Sequence, residues 1–166
     1  MFSWLHETQS LLEPTAELLN ATWPRSLAAR TQALQRPPAP GSTLPRSLVL
    51  QQSGRVVAHC RLLPVHGDPH GVLIESVVVD ATLRGQGLGR VIMEEAERRA
   101  VALGLTTAHL STHDKEGFYA RLGYVRSAPV DSLGALARFL VSWKSLCVCV
   151  CGEGGGGGVG FSLSCL

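Results

Sequence analysis

The 166 residues of this chain are enough for one domain, and a hydrophobic content of 45% is enough to fill its core. A formal charge of +2 and the lack of any long Lys/Arg run exclude a polyelectrolyte that binds nucleic acid by charge alone. No basic, apolar leader opens the sequence, and the most apolar late stretch, residues 139–151, is interrupted by Lys144 and is shorter than a bilayer span. The reading is a soluble, cytoplasmic monomer with no nucleic-acid and no membrane partner.

Cysteine usage points the same way. Cys147, Cys149, Cys151 and Cys165 lie late in the chain and only Cys60 lies in the body, whereas a secreted disulfide framework spreads its cysteines through the fold. The spacing Cys-x-Cys-x-Cys suits a soft metal, but no histidine follows Asp114 to complete a ligand set, so no metal is expected.

In chain order, residues 11–22 are predicted as a helix with Leu11, Leu12, Leu18 and Leu19 on one side, ended by Trp23-Pro24. A second helix follows from Pro24 to about residue 34 and carries Arg25 and Arg30. Pro37, Pro38, Pro40 and Gly41 mark a loop. Strands at 47–52 and 55–63 flank Ser53-Gly54 as a hairpin, residues 64–71 read as a loop, and 72–79 is a β-branched strand. A glycine-rich turn leads into a helix over 88–103, with Leu88, Val91, Ile92, Ala96, Ala100 and Leu103 on one face. A strand at 106–112, a short helix at 115–122 and a strand from Tyr124-Val125 complete the pattern. The order α-α-β-β-β-α-β-α-β predicts an α/β (α+β) fold, a mixed central β-sheet flanked by helices. Residues 1–130 form the predicted domain, and 131–166 read as a disordered Cys/Gly-rich tail.

The strongest signal is the run Arg84, Gly85, Gln86, Gly87, Leu88, Gly89, Arg90 between a β-branched strand and an amphipathic helix. Glycines let backbone approach a phosphate closely, and the helix start offers unpaired N–H groups and partial positive charge. A Walker loop needs a Lys-Ser/Thr pair that does not follow, and the dinucleotide fingerprint needs a different glycine spacing on the first strand of its unit. A glycine turn without a ligand is the plain alternative.

Arg84-x-x-Gly87-x-Gly89 resembles the [Arg/Gln]-x-x-Gly-x-[Gly/Ala] signature of the GNAT superfamily of N-acetyltransferases, and Tyr119-x-x-x-Gly123-Tyr124 resembles its second landmark. The resemblance covers roughly residues 10–130. It implies the GNAT fold, acetyl-CoA as co-substrate, the run 84–90 on the pyrophosphate, and Val77, Val78 and Val79 along the pantetheine arm. Trp23-Pro24-Arg25-Ser26, Glu75-Ser76-Val77 and Thr112-His113-Asp114 are similar to a narrower group, the animal acetyltransferases of the acidic N-terminus of processed actin. That likeness implies an Asp/Glu-leading actin peptide as substrate, with profilin-bound actin as a further partner.

Acetyl transfer to an amine needs a neutral amine, a donor for the developing oxyanion, a proton for the leaving thiolate, and alignment. Through the resemblance Tyr119 supplies the thiolate proton; otherwise it packs in the core or against CoA. Glu75 is a charge in an apolar strand, placed on one face with Val77 and Val79; it accepts the amine proton or pairs with an arginine. His113 follows a strand end and orients substrate or takes a proton, while His59, His66, His70 and His109 read as packing or surface residues. Arg25 and Arg30 suit carboxylates of an acidic peptide, or form a solvated helix face, and Trp23 lines the groove or the core. Two features depart from the family: residues 131–137 do not read as its final strand, and the tail resembles nothing in it. A CoA-binding but catalytically impaired variant and a small-amine acetyltransferase therefore remain as alternatives. A last expectation is that the strand 72–79 splays from the strand 106–112 to admit the pantetheine arm, with the loop 84–89 at the mouth of that cleft.

Overall fold

The computed structural model describes residues 1–127, residue 130 and the backbone of 146–151. The chain divides into two compact units, Met1–Leu62 with Glu75–Ala96, and Leu63–Ile74 with Glu97–Leu166.

The first unit opens with β1 (Phe2–Trp4), which pairs antiparallel with β2 (Arg46–Gln52), Phe2 opposite Leu50 and Trp4 opposite Leu48. Sequence patterning had no purchase on β1, because three residues are too short for a period to show. The Met1 ammonium adds a hydrogen bond to the Gln51 carbonyl at 2.8 Å. Between these strands run α1 (Leu12–Thr22) and α2 (Leu27–Leu34). Ser26 caps α2 by accepting from the Ala29 N–H, so that helix starts three residues later than the proline alone suggests. β2 pairs antiparallel with β3 (Arg55–Val65) around Ser53-Gly54, with an irregularity at Leu50/Gln51. Leu11, Leu18 and Leu19 of the first helical segment pack with Leu5, Val49, Val56 and Val78 into one buried apolar cluster.

The hairpin that follows is longer than expected. β3 runs on to Val65 and β4 spans Asp68–Val79, leaving only His66-Gly67 as the turn, with Gly67 at φ 79°. The predicted loop over 64–71 is thus mostly strand. β4 continues into a short helical turn (Ala81–Leu83) and α3 (Leu88–Ala102), which buries Ile92, Met93, Ala96 and Ala100 and leaves Val91 exposed.

In the second unit β4 pairs in parallel with β5 (Thr107–Thr112), from Gly71 opposite Thr107 to Ile74 opposite Leu110. The parallel pair needs a crossover, and α3 is that connection. The ladder ends at Ile74 while β4 continues to Val79, so the two strands pair over only part of their length. α4 (Glu116–Ala120) and β6 (Val125–Ser127) follow. The expectation of a disordered tail needs correction at one point: Leu146–Cys151 forms β7, antiparallel to both β5 and β6. Its backbone N–H and C=O groups satisfy two neighbours at once. The remainder of the predicted tail, and the boundary at 130, lie outside the described residues. The sheet is mixed, with helices against it.

Candidate active site

The glycine-rich run 84–90 is assembled wholly within the first unit. Past Val79, Asp80 accepts from the Thr82 N–H at 2.9 Å and from the Thr82 hydroxyl at 2.7 Å, and its own N–H donates to the Val57 carbonyl at 2.8 Å. These bonds hold the Asp80 carboxyl below the usual carboxylate range, the Thr82 hydroxyl first among the causes. Arg84 folds back, its Nε donating to the Val79 carbonyl at 3.2 Å and its Nη2 to the Thr22 hydroxyl at 3.4 Å. Gly85 and Gly87 then adopt φ of 79° and 82°, a region that side chains disfavour. A Cβ at either would meet nothing within 4 Å, so the backbone here faces open space. The first intrahelical bond runs from the Val91 N–H to the Gly87 carbonyl at 3.1 Å. The N–H groups of Leu88, Gly89 and Arg90 therefore have no partner within the helix and point from its positive end. Arg90 is exposed and forms a 3.7 Å ion pair with Glu94. An open glycine backbone, orphan helix N–H groups and two arginines fit a pyrophosphate.

The strand leading to this loop carries the second group of residues. Glu75 is partly buried, and burial raises its carboxyl above the ordinary range while the Arg61 charge on β3 lowers it again in part. Burial likewise lowers the Arg61 guanidinium, against the favourable field of Glu75. The reading of Glu75 as paired with an arginine and its reading as a base are both compatible with that arrangement. Ser76, next in the chain, has φ 52°. That single left-handed residue interrupts the alternation which would set Glu75 and Val77 on one face. The Ser76 carbonyl accepts from His59 Nδ1 at 2.9 Å, and His59 is fully buried. Neither Arg61 nor His59 was singled out for function in the sequence. Their importance rests on partners across the strand pair, and a one-dimensional pattern carries no trace of those.

The turn between α1 and α2 holds the proposed acceptor residues. Trp23 is 44% exposed, so it is not core. Asn20 donates to the Arg25 carbonyl at 2.9 Å and accepts from Arg30 Nε at 3.0 Å. Arg30 also donates to the Trp23 carbonyl, so its guanidinium is engaged in holding the turn. Arg25, Ala29, Gln32, Ala33, Arg36 and Pro37 line a shallow depression of about 530 Å³ along α2. Arg36, which the sequence reading passed over, is thus the second cation beside Arg25.

Within the second unit, His113 is exposed just after β5, beside the close Asp114–Lys115 ion pair. Tyr119 is buried in α4, its ring edge-on to Phe118 at 4.9 Å and to Tyr124 at 5.8 Å. The Tyr124 hydroxyl donates to Glu97 at 2.6 Å, which ties the turn after α4 to α3. Among the described residues no group of three or more His, Cys, Asp or Glu side chains is gathered to hold a metal. No helix among them is long and apolar enough to cross a membrane.

Comparison with known proteins agrees with this architecture. The profile of the acetyltransferase (GNAT) family matches residues 6–124. Mouse N-alpha-acetyltransferase 80 is 40% identical over 137 residues, which is 78% of this chain and 43% of that protein. The chain thus spans less than half the length of this relative. Among solved structures, an aminoglycoside 6′-N-acetyltransferase complexed with coenzyme A superposes with a TM-score of 0.68 at 16% identity, covering 90% of this chain and 94% of its own. The aminoglycoside 6′-N-acetyltransferase of Enterococcus faecium gives 0.66 at 17% identity, covering 90% and 94%. At such identities these two speak for the fold alone.

Proposed function

The chain belongs to the acetyltransferase (GNAT) family, and from that premise we propose that it is a peptide α-N-acetyltransferase acting on an acidic N-terminus, that of processed actin. The observation that carries the reading is the Gly85/Gly87 backbone, open at positive φ and running into the start of α3 between Arg84 and Arg90. Bound there, acetyl-CoA supplies an acetyl thioester. Val77, Val78 and Val79 offer strand backbone to the pantetheine arm. Glu75 takes a proton from the acceptor's ammonium, directly or through water, which frees the neutral amine to attack the thioester carbonyl, and a raised carboxyl is the better base for an amine of pKa near 7.7–8.0. Tyr119 donates to the leaving thiolate, and His113 orients the peptide.

Choice of acceptor rests on the α2 face. Arg25 and Arg36 flank the depression there, and guanidinium groups match carboxylates in a fork geometry. The identity to an N-alpha-acetyltransferase supports an α-amino acceptor over a small amine. β7 supplies a strand after the last helix, which supports an active enzyme over a catalytically impaired variant.

The test is acetyl transfer from acetyl-CoA to a peptide panel, read by mass, with Asp-Asp-, Glu-Glu-, Met- and Ser-leading members. The acidic members should be preferred at least tenfold in kcat/KM, a difference of about 1.4 kcal/mol. Equal rates across the panel would remove the acidic specificity. Turnover of polyamines or aminoglycosides alone would replace the peptide reading altogether.

A further inference from the structure

Ser76 is the one residue of β4 with a positive φ, and it sits between Glu75 and Val77. A β-carbon disfavours that conformation, so something nearby must hold it. Its carbonyl oxygen receives a 2.9 Å hydrogen bond from His59 Nδ1. A carbonyl only accepts, so Nδ1 carries the proton and Nε2 is the bare nitrogen. His59 is fully buried, and Nε2 has no hydrogen-bond partner among the described residues. Leaving such an atom unsatisfied is unfavourable, and an apolar side chain of similar size would avoid the penalty. Among the described residues, the one hydrogen-bond partner of the ring is the Ser76 carbonyl.

Place in the strand gives that bond its consequence. The parallel ladder with β5 uses β4 as far as Ile74 and stops. Glu75 and Val77 lie just beyond, where the aim of a carboxyl and of a strand N–H is fixed by the backbone angles of the residue between them. We propose that His59 is a positioning residue for acetyl transfer: its Nδ1–H pins the Ser76 carbonyl, holds the left-handed kink, and so sets the direction of the Glu75 carboxyl and of the Val77 N–H. His59 does not touch substrate. It acts through Ser76, and it deepens the acetyltransferase reading on which its catalytic consequence rests.

Three substitutions test this in the full chain. His59→Asn keeps an N–H donor where Nδ1 stood, His59→Gln carries its amide past that point, and His59→Phe fills the space with no donor. Amide hydrogen exchange over residues 75–79 should be faster by roughly tenfold or more in the Gln and Phe variants, and near wild type in Asn. Exchange over 71–74, within the β5 ladder, should stay unchanged in all three. With the best peptide of the panel, kcat should fall by about tenfold or more in Gln and Phe, with KM for acetyl-CoA within about threefold of wild type, and Asn should recover most of it. If Phe fails to fold, the contrast between Asn and Gln still decides. Unchanged exchange over 75–79 in Gln, or Asn as impaired as Gln, would show that His59 only fills space. Should the wild type acetylate no peptide, the functional reading fails by itself, and exchange over 75–79 still tells whether the pin exists.

Discussion

Gly87 illustrates what a single residue makes readable. Its φ of 82° and the open space before it state a backbone demand that glycine alone meets without strain, so the demand is written in the sequence as glycine. Gly87→Asp adds a β-carbon and a negative charge at the proposed pyrophosphate site. CoA affinity should fall more than tenfold by calorimetry, while the strain of a β-carbon at that φ, about 1–2 kcal/mol, lowers Tm by a few degrees without unfolding the chain; an unchanged Kd would show that the loop is not the phosphate site. Glu75 was legible only as an anomaly, a charge in an apolar strand, because Arg61 lies on a neighbouring strand and burial is a property of the fold. Its raised carboxyl predicts a pH effect with a definite sign. A base must be deprotonated, so kcat/KM should fall as pH drops through a value above the ordinary carboxylate range. In Glu75→Gln the rate should be lower and that limb absent, leaving only the fall that protonation of the acceptor amine imposes below about pH 8. The same lower limb persisting in the variant would assign the base elsewhere.

Elements were legible in proportion to their length and to how local their causes are. α1, α2 and α3 follow from apolar spacing and end signals, and Ser26→Ala should cost about 1 kcal/mol of stability by urea titration through loss of the α2 cap. β1 and β7 were missed for different reasons. β1 is three residues long and exists because β2 offers it an edge. β7 did carry a signal, the period-two alternation of valine and cysteine over 146–151, but composition and the glycine run beyond it pulled the reading toward disorder. Because β7 lies between β5 and β6, proline within it removes a ladder donor from an interior strand. Val148→Pro, opposite Leu110, should lower Tm by several degrees or abolish soluble expression. Melting identical to wild type would place the tail outside the sheet.

At the scale of the whole molecule, the buried histidine links the fold to pH. Burial lowers His59 from 6.5 to about 4, the hydrogen bond to Ser76 opposing and the charges of Arg61 and Arg30 adding a little. Above pH 6.5 neither the folded nor the unfolded chain carries that proton, and the full stability is present. Between 6.5 and about 4 the unfolded chain binds a proton that the folded chain refuses, so stability is lost steadily as pH falls through this window. The loss attributable to His59 is on the order of 3 kcal/mol. His109, also lowered mainly by burial, pulls in the same direction, as do the lowered carboxyls of Asp80, which is half-buried, and of Asp114 and Glu116, which face solvent and contribute little. Glu75, raised by burial, works in the opposite sense, its share of stability lost as pH rises through its folded value. Urea unfolding at pH 7 and at pH 4.5 should therefore show a much lower midpoint at the acid end for the wild type. His59→Asn keeps the donor to Ser76 and has nothing to titrate, so the interval between its two midpoints should shrink by most of the His59 share. An equal interval in both proteins would mean that the imidazole is charged or solvated in the folded chain, and the kink at Ser76 would then be held by something other than a neutral His59.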